Sequence, residues 1–151
     1  YFQSTGQKFS DHNKEERQKG SPYNFLYLVL TMNRKVLYER IDKRVDQMME
    51  EGLVKEVKQL LDAGYSRNLV SMQGLGYKEI ASALFKECTM EEAVYRLKRD
   101  TRHFAKRQMT WFRRERDVTM INKDNFSNNH DIVNYIMKLA VEKGICSCRE
   151  G

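Results

Sequence analysis

The most constraining feature of this sequence is an almost unbroken apolar run, YNFLYLVLTM, at 23–32. Aromatic, leucine and β-branched side chains bounded by Pro22 and Asn33 predict a β-strand that is buried on both faces. Such a strand needs neighbours, and the chain offers only one further candidate, a short strand at about 117–121. Two strands cannot bury the run on both sides. We therefore expect part of an α/β protein whose other sheet strands lie outside these residues.

Amphipathic helices are predicted for most of the remaining sequence. A helical hairpin is predicted over 33–63, because apolar residues recur there at spacings of three and four on either side of Gly52. Gly64 is suited to end the second helix, since glycine readily adopts the left-handed conformation found at helix C-termini. A last amphipathic helix is predicted over 131–143. The chain is therefore expected to be mostly helical.

The segment 96–116 carries the excess positive charge of the chain. It contains nine Lys or Arg residues and two acidic ones, whereas the rest of the chain nets −1 and the whole chain +6. Helical spacing of its apolar residues predicts a helix over 90–115, which Thr89 and Glu92 begin as a capping box. The basic face is almost free of acidic partners at helical spacing, which indicates binding of an anion or a nucleic acid. A merely solvated face is the common alternative.

A glycine-containing loop, SMQGLGYKE, is predicted over 71–79, and its glycines lie just before a helix that is predicted over 77–85. Gly74 and Gly76 place backbone amides near the N-terminus of that helix, where an anion could bind. A tight turn or close helix packing explains such glycines more often. The neighbouring Lys78 and the basic helix favour the anion-binding interpretation.

Composition and missing motifs restrict the function classes. The 151 residues suffice for one domain or part of a larger one. No apolar run approaches the roughly 18 residues that cross a bilayer, so no membrane association is expected. Three cysteines without a Cys-x-x-Cys pair, and three scattered histidines, favour a reducing, cytoplasmic compartment and no metal site. No P-loop, nucleophile elbow or zinc-protease motif occurs, so the residues alone do not specify a reaction.

Three stretches in register resemble the tRNA dimethylallyltransferase (tRNA isopentenyltransferase) family. The first is LYERIDKRVDQM at 37–48 with GLVKEV at 52–57, similar to the helical hairpin of the family. The second is QGLGYKE at 73–79, which resembles its glycine-tyrosine-lysine loop. The third is TRHFAKRQMTWFR at 101–113, which resembles its most recognisable segment. The resemblance covers about 5–121, and the bacterial form fits best because the zinc finger of the eukaryotic enzymes is not in the sequence.

The resemblance implies that residues 1–151 are the C-terminal portion of such an enzyme, within a P-loop-type parallel-sheet domain. The family transfers a dimethylallyl group from dimethylallyl diphosphate to the exocyclic amino group of the adenine adjacent to the anticodon in tRNA. The reaction depends on Mg²⁺. The P-loop, the aspartate general base and the Mg²⁺ ligands would lie in the half that is not present. The chain alone is therefore expected to be inactive, without a catalytic residue of its own, and a monomer.

The resemblance also implies roles for particular residues. Arg44 and Arg40 are candidates for contact with the diphosphate, although a surface ion pair of Arg44 with Asp42 or Glu39 is equally open. A larger set is expected to bind the tRNA anticodon stem-loop, with Arg113 and Arg114 as further candidates. The set comprises Gln73, Gly74, Leu75, Gly76, Tyr77, Lys78, Thr101, Arg102, His103, Phe104, Ala105, Lys106, Arg107 and Gln108.

Alternatives remain for two aromatic residues and for the function. Trp111 and Phe112 fall on the apolar stripe of the basic helix, and we assign them to the core rather than to base stacking. A non-catalytic helical RNA-binding module would explain the basic helix equally well, but not an apolar strand without a sheet. A scaffold domain that merely tolerates polyanions would show no preference for an anticodon stem-loop.

Overall fold

The computed structural model describes residues 2–18 and 20–147. Short 3₁₀ turns occur at Val70–Gln73 and Lys123–Asn125. The chain divides into two units, one formed by 1–27 with 128–151 and the other by 28–127, and each is described by itself. The helices and strands of the described residues are, in order, α1 (Phe2–Thr5), α2 (Phe9–Gln18), β1 (Tyr27–Thr31), α3 (Arg34–Glu50), α4 (Leu53–Asp62), α5 (Tyr77–Leu84), α6 (Met90–Phe112), β2 (Val118–Asn122) and α7 (Asn129–Glu142).

Helices α3 and α4 form the predicted hairpin of the unit 28–127. Asn33 caps α3, because its side-chain oxygen accepts a hydrogen bond from the backbone N–H of Lys35 at 2.9 Å. Gly52 joins the helices with a φ of +101°, a conformation that other residues rarely adopt. At the end of α4, Gly64 has a φ of +87° and the Tyr65 amide bonds to the Leu60 carbonyl. The predicted C-terminal role of Gly64 is therefore confirmed.

The core of this unit lies where α3, α4, α5, α6 and the turn at 70–73 meet. Each helix contributes the apolar stripe that its periodicity predicts, and the deepest side chains, Val57 and Ile80, are fully buried. Burying an aliphatic side chain of this size stabilises a fold by roughly 1.5–3 kcal/mol. The cluster comprises Val45, Leu53, Val57, Met72, Ile80, Ala81, Ala93 and Leu97.

Helix α6 begins as predicted and ends three residues earlier than predicted. The Thr89 hydroxyl accepts from the Glu92 amide at 3.1 Å, whereas the Glu92 carboxylate binds Arg96 at 2.5 Å instead of reaching back to the cap. Only Ala93 and Leu97 of α6 are buried. The core therefore covers the first two turns of α6, and the rest of the helix extends beyond the buried cluster.

Trp111 shows the consequence of this extension. Its side chain is 54% exposed, so its assignment to the core was wrong for the described residues. Phe112 is half-buried and its ring meets that of Trp111 edge-on, with 5.1 Å between the ring centroids. The apolar stripe continues past Leu97, but the buried cluster that would cover it does not.

Strands β1 and β2 pair as a parallel two-stranded sheet. β1 is shorter than the predicted strand at 23–32, and β2 lies one residue later than the predicted 117–121. In β1 only Val29 is buried, while Leu30 is 51% exposed. The described residues therefore do not cover the apolar run on both faces, as expected when two strands cannot enclose it. The predicted fold class, a mostly helical part of an α/β protein, is confirmed.

The unit formed by 1–27 and 128–151 contains α1, α2 and α7. Helix α7 begins at Asn129, two residues earlier than predicted, because the Asn128 side chain accepts from the Asp131 amide at 3.0 Å. The Asn24 side chain donates to the Lys143 carbonyl at 3.0 Å, and the Lys143 amine lies 5.5 Å from the centroid of the Phe25 ring. Across residues 2–18 and 20–147, no helix is both long and apolar enough to span a membrane.

Candidate phosphate and nucleic-acid interface

A groove between α3 and α6 brings together four of the residues that the resemblance singled out. The groove has a volume of about 340 Å³. Arg40 and Arg44 enter it from α3, one turn apart, and Thr101 enters it from α6. Leu75, from the glycine-containing loop, closes one side, and the remaining wall is apolar. An apolar channel with two guanidinium groups suits a ligand that joins a hydrocarbon group to an anion.

Neither arginine of the groove is held by a strong ion pair. Arg44 lies 3.4 Å from the Glu51 carboxylate, with side chains 60% and 54% exposed, and solvent screens such a pair. Its predicted alternative partner Asp42 binds a different residue, described below. Within the described part of the chain, Arg40 forms no ion pair. Both guanidinium groups therefore remain available to an incoming anion.

Two ion pairs fasten the first half of α6 to α3. Arg102 binds Asp42 and Lys98 binds Asp46, each with 2.5 Å between nitrogen and oxygen. Both pairs repeat at a spacing of four residues on their own helix, so they form a ladder between the helices. Arg96 and Arg99 are also paired, with Glu92 and Asp100. The prediction that the basic face is almost free of acidic partners was therefore wrong for this half of α6.

The end of α6 differs, because the exposed cations there have no acidic partner among the described residues. They are Lys106 and Arg107 within α6, and Arg113 and Arg114 directly after its last residue. Lys106 and Arg113 line a cavity of about 270 Å³ together with Ala105 and with Thr31 at the carboxyl end of β1. An anion would meet uncompensated positive charge here.

The other predicted tRNA-binding residues of α6 vary in accessibility. His103 and Gln108 are exposed, and Phe104 is 44% exposed with the Arg107 guanidinium 5.9 Å from its ring centroid. The Thr101 hydroxyl donates to the Leu97 carbonyl at 2.7 Å, so its proton is used within the helix. Accessible polar side chains therefore occur on α6 both before and after Thr101.

The helix predicted from Tyr77 to Phe85 is confirmed as α5, and a 3₁₀ turn at Val70–Gln73 orders the start of the glycine-containing loop. Gly76 has a φ of +100°, and its amide donates to the buried Glu79 carboxylate at 2.8 Å. The prediction that the Gly76 amide faces an anion was therefore wrong. Gly74 is exposed and extended, and Gln73 donates to the Arg67 carbonyl at 2.6 Å.

Tyr77 has a structural role within this loop. Its side chain packs against the core, and its hydroxyl donates a short hydrogen bond to the Glu56 carboxylate on α4. This hydrogen bond to Glu56 raises the pKa of Tyr77, because the neutral phenol is the form that donates, and burial adds to the effect. Contact of Tyr77 with tRNA stays a prediction, and the hydroxyl of this residue already has a partner in Glu56.

A second cavity, which sequence reasoning did not foresee, lies between α5, α6 and the segment 67–73. Its volume is about 530 Å³, and its lining is mostly polar, with four cationic side chains and the two carboxylates of Glu79 and Asp100. Arg67 pairs with Glu87 and lowers the pKa of that carboxyl, and Arg99 does the same to Asp100. The side chains that line it include Arg67, Gln73, Lys78, Glu79, Arg96 and Arg99. Glu79, three residues after Gly76, was a sequence signal for the cap at the N-terminus of α5. The pairing of Arg67 had no such signal, because its partner Glu87 is twenty residues away.

The described residues contain no group of three or more His, Cys, Asp or Glu side chains that could hold a metal ion. Cys88 and Cys146 are free thiols, and Cys148 lies outside the described residues. The interface therefore offers cationic, polar and apolar side chains, without such a set of metal ligands among the described residues.

Fold and site together define a mostly helical part of an α/β protein that presents an arginine-lined apolar groove beside a cationic helix. Comparison with known proteins gives the family. A family model described as IPP transferase matches residues 1–115, and the chain belongs to that family. The expectation that it corresponds to the C-terminal half of these proteins is confirmed.

Individual relatives agree with this assignment. The chain is 54% identical to a tRNA dimethylallyltransferase of Lachnoclostridium phytofermentans, over 96% of this chain and 46% of the relative. It is 51% identical to a tRNA dimethylallyltransferase of Acetivibrio thermocellus, over 85% of this chain and 41% of the relative. The crystal structure of a full-length tRNA isopentenylpyrophosphate transferase from Bacillus halodurans superposes with a TM-score of 0.75 at 43% identity, covering 89% of this chain and 45% of that one. The chain thus spans about half the length of the relatives it matches.

Proposed function

We propose that the protein containing this chain transfers a dimethylallyl group from dimethylallyl diphosphate to the exocyclic amino group of the adenine adjacent to the anticodon in tRNA. Membership of the IPP transferase family carries this proposal. Two relatives that are 54% and 51% identical to this chain are tRNA dimethylallyltransferases. The site also offers both an arginine-lined groove and a cationic helix.

In this reaction the bond between the prenyl carbon and the diphosphate oxygen breaks, and a bond forms between that carbon and the adenine amino nitrogen. The departing diphosphate gains negative charge as its bond breaks, and guanidinium groups aimed at it lower the barrier. Arg44 and Arg40 are the proposed groups, since both line the groove and neither is tightly paired. The apolar wall at Ile41, Val45 and Met48 would shield the dimethylallyl group from water.

Mg²⁺ is the cofactor that the family resemblance implies. The described residues offer no set of ligands for it, so no step of the reaction is assigned to Mg²⁺ on this chain. The P-loop and the general base that accepts the amino proton likewise have no counterpart in these residues. The 151-residue chain by itself is therefore proposed to be inactive.

The tRNA anticodon stem-loop is the proposed partner of the exposed half of α6. Lys106, Arg107 and Gln108 present two cations and an amide without acidic partners among the described residues, with Arg113 one turn further on. Such a row of cations attracts the phosphate backbone of the tRNA. The adenine must leave the base stack to reach the groove between α3 and α6. As a tRNA-modifying enzyme, the protein is proposed to act as a monomer in the cytoplasm.

The test uses the full-length gene product, a tRNA with unmodified adenine beside the anticodon, and dimethylallyl diphosphate. Mass spectrometry of the digested tRNA should detect prenylated adenosine. The 151-residue chain, assayed in parallel, should yield none. Absence of prenylated adenosine with the full-length protein would overturn the proposed function and favour a module that only binds RNA.

A further inference from the structure

The groove between α3 and α6 has a direction, because the two helices run antiparallel along it. Asp42 pairs with Arg102 and Asp46 pairs with Lys98, so residue numbers rise along α3 where they fall along α6. The last turns of α3 therefore lie beside the beginning of α6. This arrangement determines which side chains meet at each end of the groove.

The lining of the groove changes from cationic to apolar along α3. Arg40 and Arg44 come first and are exposed, whereas Met48 comes last and is half-buried. On α6 the lining residue nearest to this far end is Leu97, which is 2% exposed. A diphosphate held by the two arginines would therefore direct its hydrocarbon group toward Met48 and Leu97.

Leu75 closes the apolar end of the groove. The residue after it, Gly76, is buried at this end, and a Cβ added to Gly76 would lie 3.9 Å from Met48 Cε and 4.0 Å from Leu97 Cδ2. The Gly76 amide donates to the Glu79 carboxylate at 2.8 Å, so the backbone beside Leu75 is fixed. The Leu75 side chain both lines the groove and packs against the buried core. It is therefore a wall that packing holds in place.

Helix geometry gives the length that is left for the hydrocarbon group. The turn from Arg40 to Arg44 is needed for the diphosphate. The next turn, from Arg44 to Met48, spans roughly 6 Å at about 1.5 Å per residue. Such a length suits the single isoprene unit of a dimethylallyl group. A geranyl group has one isoprene unit more, and its far end would meet Leu75.

We propose that Leu75 restricts the prenyl donor to a single isoprene unit, because it closes the end of the groove that receives the hydrocarbon group. The inference rests on the proposed function and on the placement of the diphosphate at Arg40 and Arg44. It gives Leu75 a role in the choice of donor, in addition to the tRNA contact that the family resemblance predicts. An apolar pocket can discriminate in this way, since one methylene group more or less changes kcat/KM roughly 10–200-fold.

The test uses the full-length protein and an unmodified tRNA, with dimethylallyl diphosphate or geranyl diphosphate as the donor. Geranyl transfer breaks and forms the same bonds as dimethylallyl transfer and releases diphosphate and a proton. Initial rates give kcat/KM for each donor, and mass spectrometry of the digested tRNA identifies the attached group. The wild type should strongly prefer dimethylallyl diphosphate.

Leu75→Ala should raise the ratio of kcat/KM for geranyl to that for dimethylallyl diphosphate roughly tenfold or more, because the shorter side chain lengthens the groove. Leu75→Phe should lower kcat/KM for dimethylallyl diphosphate, because the ring fills the end of the groove. Leu61→Ala is the matched control, since Leu61 is also half-buried against the core but does not line the groove. It should keep the donor ratio of the wild type.

An unchanged donor ratio in Leu75→Ala would overturn the inference, and so would a wild type that uses both donors equally well. A fall in tRNA affinity with an unchanged ratio would identify Leu75 as a tRNA contact only. Where Leu75→Ala is unfolded or inactive, Met48→Ala at the same end of the groove decides by the same ratio. Absence of transfer from either donor by the wild type would instead overturn the proposed function together with this inference.

Discussion

Arg102 Nη1 on α6 lies 2.5 Å from Asp42 Oδ1 on α3. The side chains are 24% and 37% exposed, so the pair is partly shielded from solvent and forms a contact between the two helices that flank the groove. One turn earlier on α6, Lys98 binds Asp46 in the same way. Arg102, which the family resemblance predicts to bind tRNA, thus also links the two helices that form the groove.

Arg102→Ala is expected to lower the free energy of unfolding by about 0.5–1 kcal/mol, because exposure discounts the value of a partly screened pair. Asp42→Asn should have a similar effect, and the double variant should lose little more than either single one. Urea denaturation of the full-length protein measures all three. Additive losses would show that the two side chains do not interact in solution.

Lys106→Ala is expected to weaken tRNA binding and to reduce the slope of log K against log salt by about 0.7–0.9, the value of one phosphate contact. The reason is that Lys106 has no acidic partner among the described residues and would release a counterion on binding. Binding titrations over a range of salt concentrations measure the slope. Lys55→Ala on α4, also exposed, is the control and should leave the slope unchanged. An unchanged slope for Lys106→Ala would identify a merely solvated face.

Arg44→Ala is expected to raise KM for dimethylallyl diphosphate roughly tenfold or more, since a charge-assisted hydrogen bond to the diphosphate is lost. Affinity for tRNA should be preserved, because Arg44 lies on α3 in the groove and not on the exposed half of α6. Steady-state kinetics and tRNA binding together separate the two effects. Lys43→Ala, the adjacent exposed cation, is the matched control. A fall in tRNA affinity with unchanged KM would contradict the assignment.

Gly76→Ala is expected to destabilise the protein by about 1–3 kcal/mol, because a φ of +100° is strained for any residue with a Cβ. Steric contact adds little, since the nearest atom to such a Cβ is Leu53 Cδ2 at 3.6 Å. Gly74→Ala is the matched control, because its φ of −61° suits alanine, and it should change stability by less than about 1 kcal/mol. Chemical denaturation measures the free energy of unfolding of both variants, and equal losses for Gly76→Ala and Gly74→Ala would contradict the prediction.

Tyr77→Phe is expected to remove a contribution to the free energy of unfolding that the wild type loses as the pH becomes alkaline. The folded-state pKa of Tyr77 is raised by its hydrogen bond to Glu56, so this stability is fully present below the pKa of an unfolded tyrosine. It is lost as pH rises from that value through the raised pKa, because only the unfolded chain then releases the proton. Denaturation midpoints compared across this window measure the difference between wild type and variant. Parallel pH profiles for the two proteins would refute the role of this bond.

The sequence determined the local elements of this protein, because their causes lie within a few residues. The Thr89 cap, the Gly64 terminus and the helical spacing of the hairpin all depend on contacts between near neighbours in the chain. The apolar run at 23–32 likewise indicated a sheet that these residues could not complete. The family resemblance rested on motifs in register and did not need coordinates.

Only the tertiary structure decided which charges are compensated and which apolar side chains are covered. Arg102 meets Asp42 sixty residues away, and Arg67 meets Glu87 twenty residues away, so neither partner is visible in a local pattern. Trp111 continues an apolar stripe, yet it is exposed because the buried cluster ends at Leu97. Periodicity reports which face of a helix is apolar, whereas burial depends on the position of the neighbouring helices, and electrostatic pairing depends on distances that only the folded chain sets.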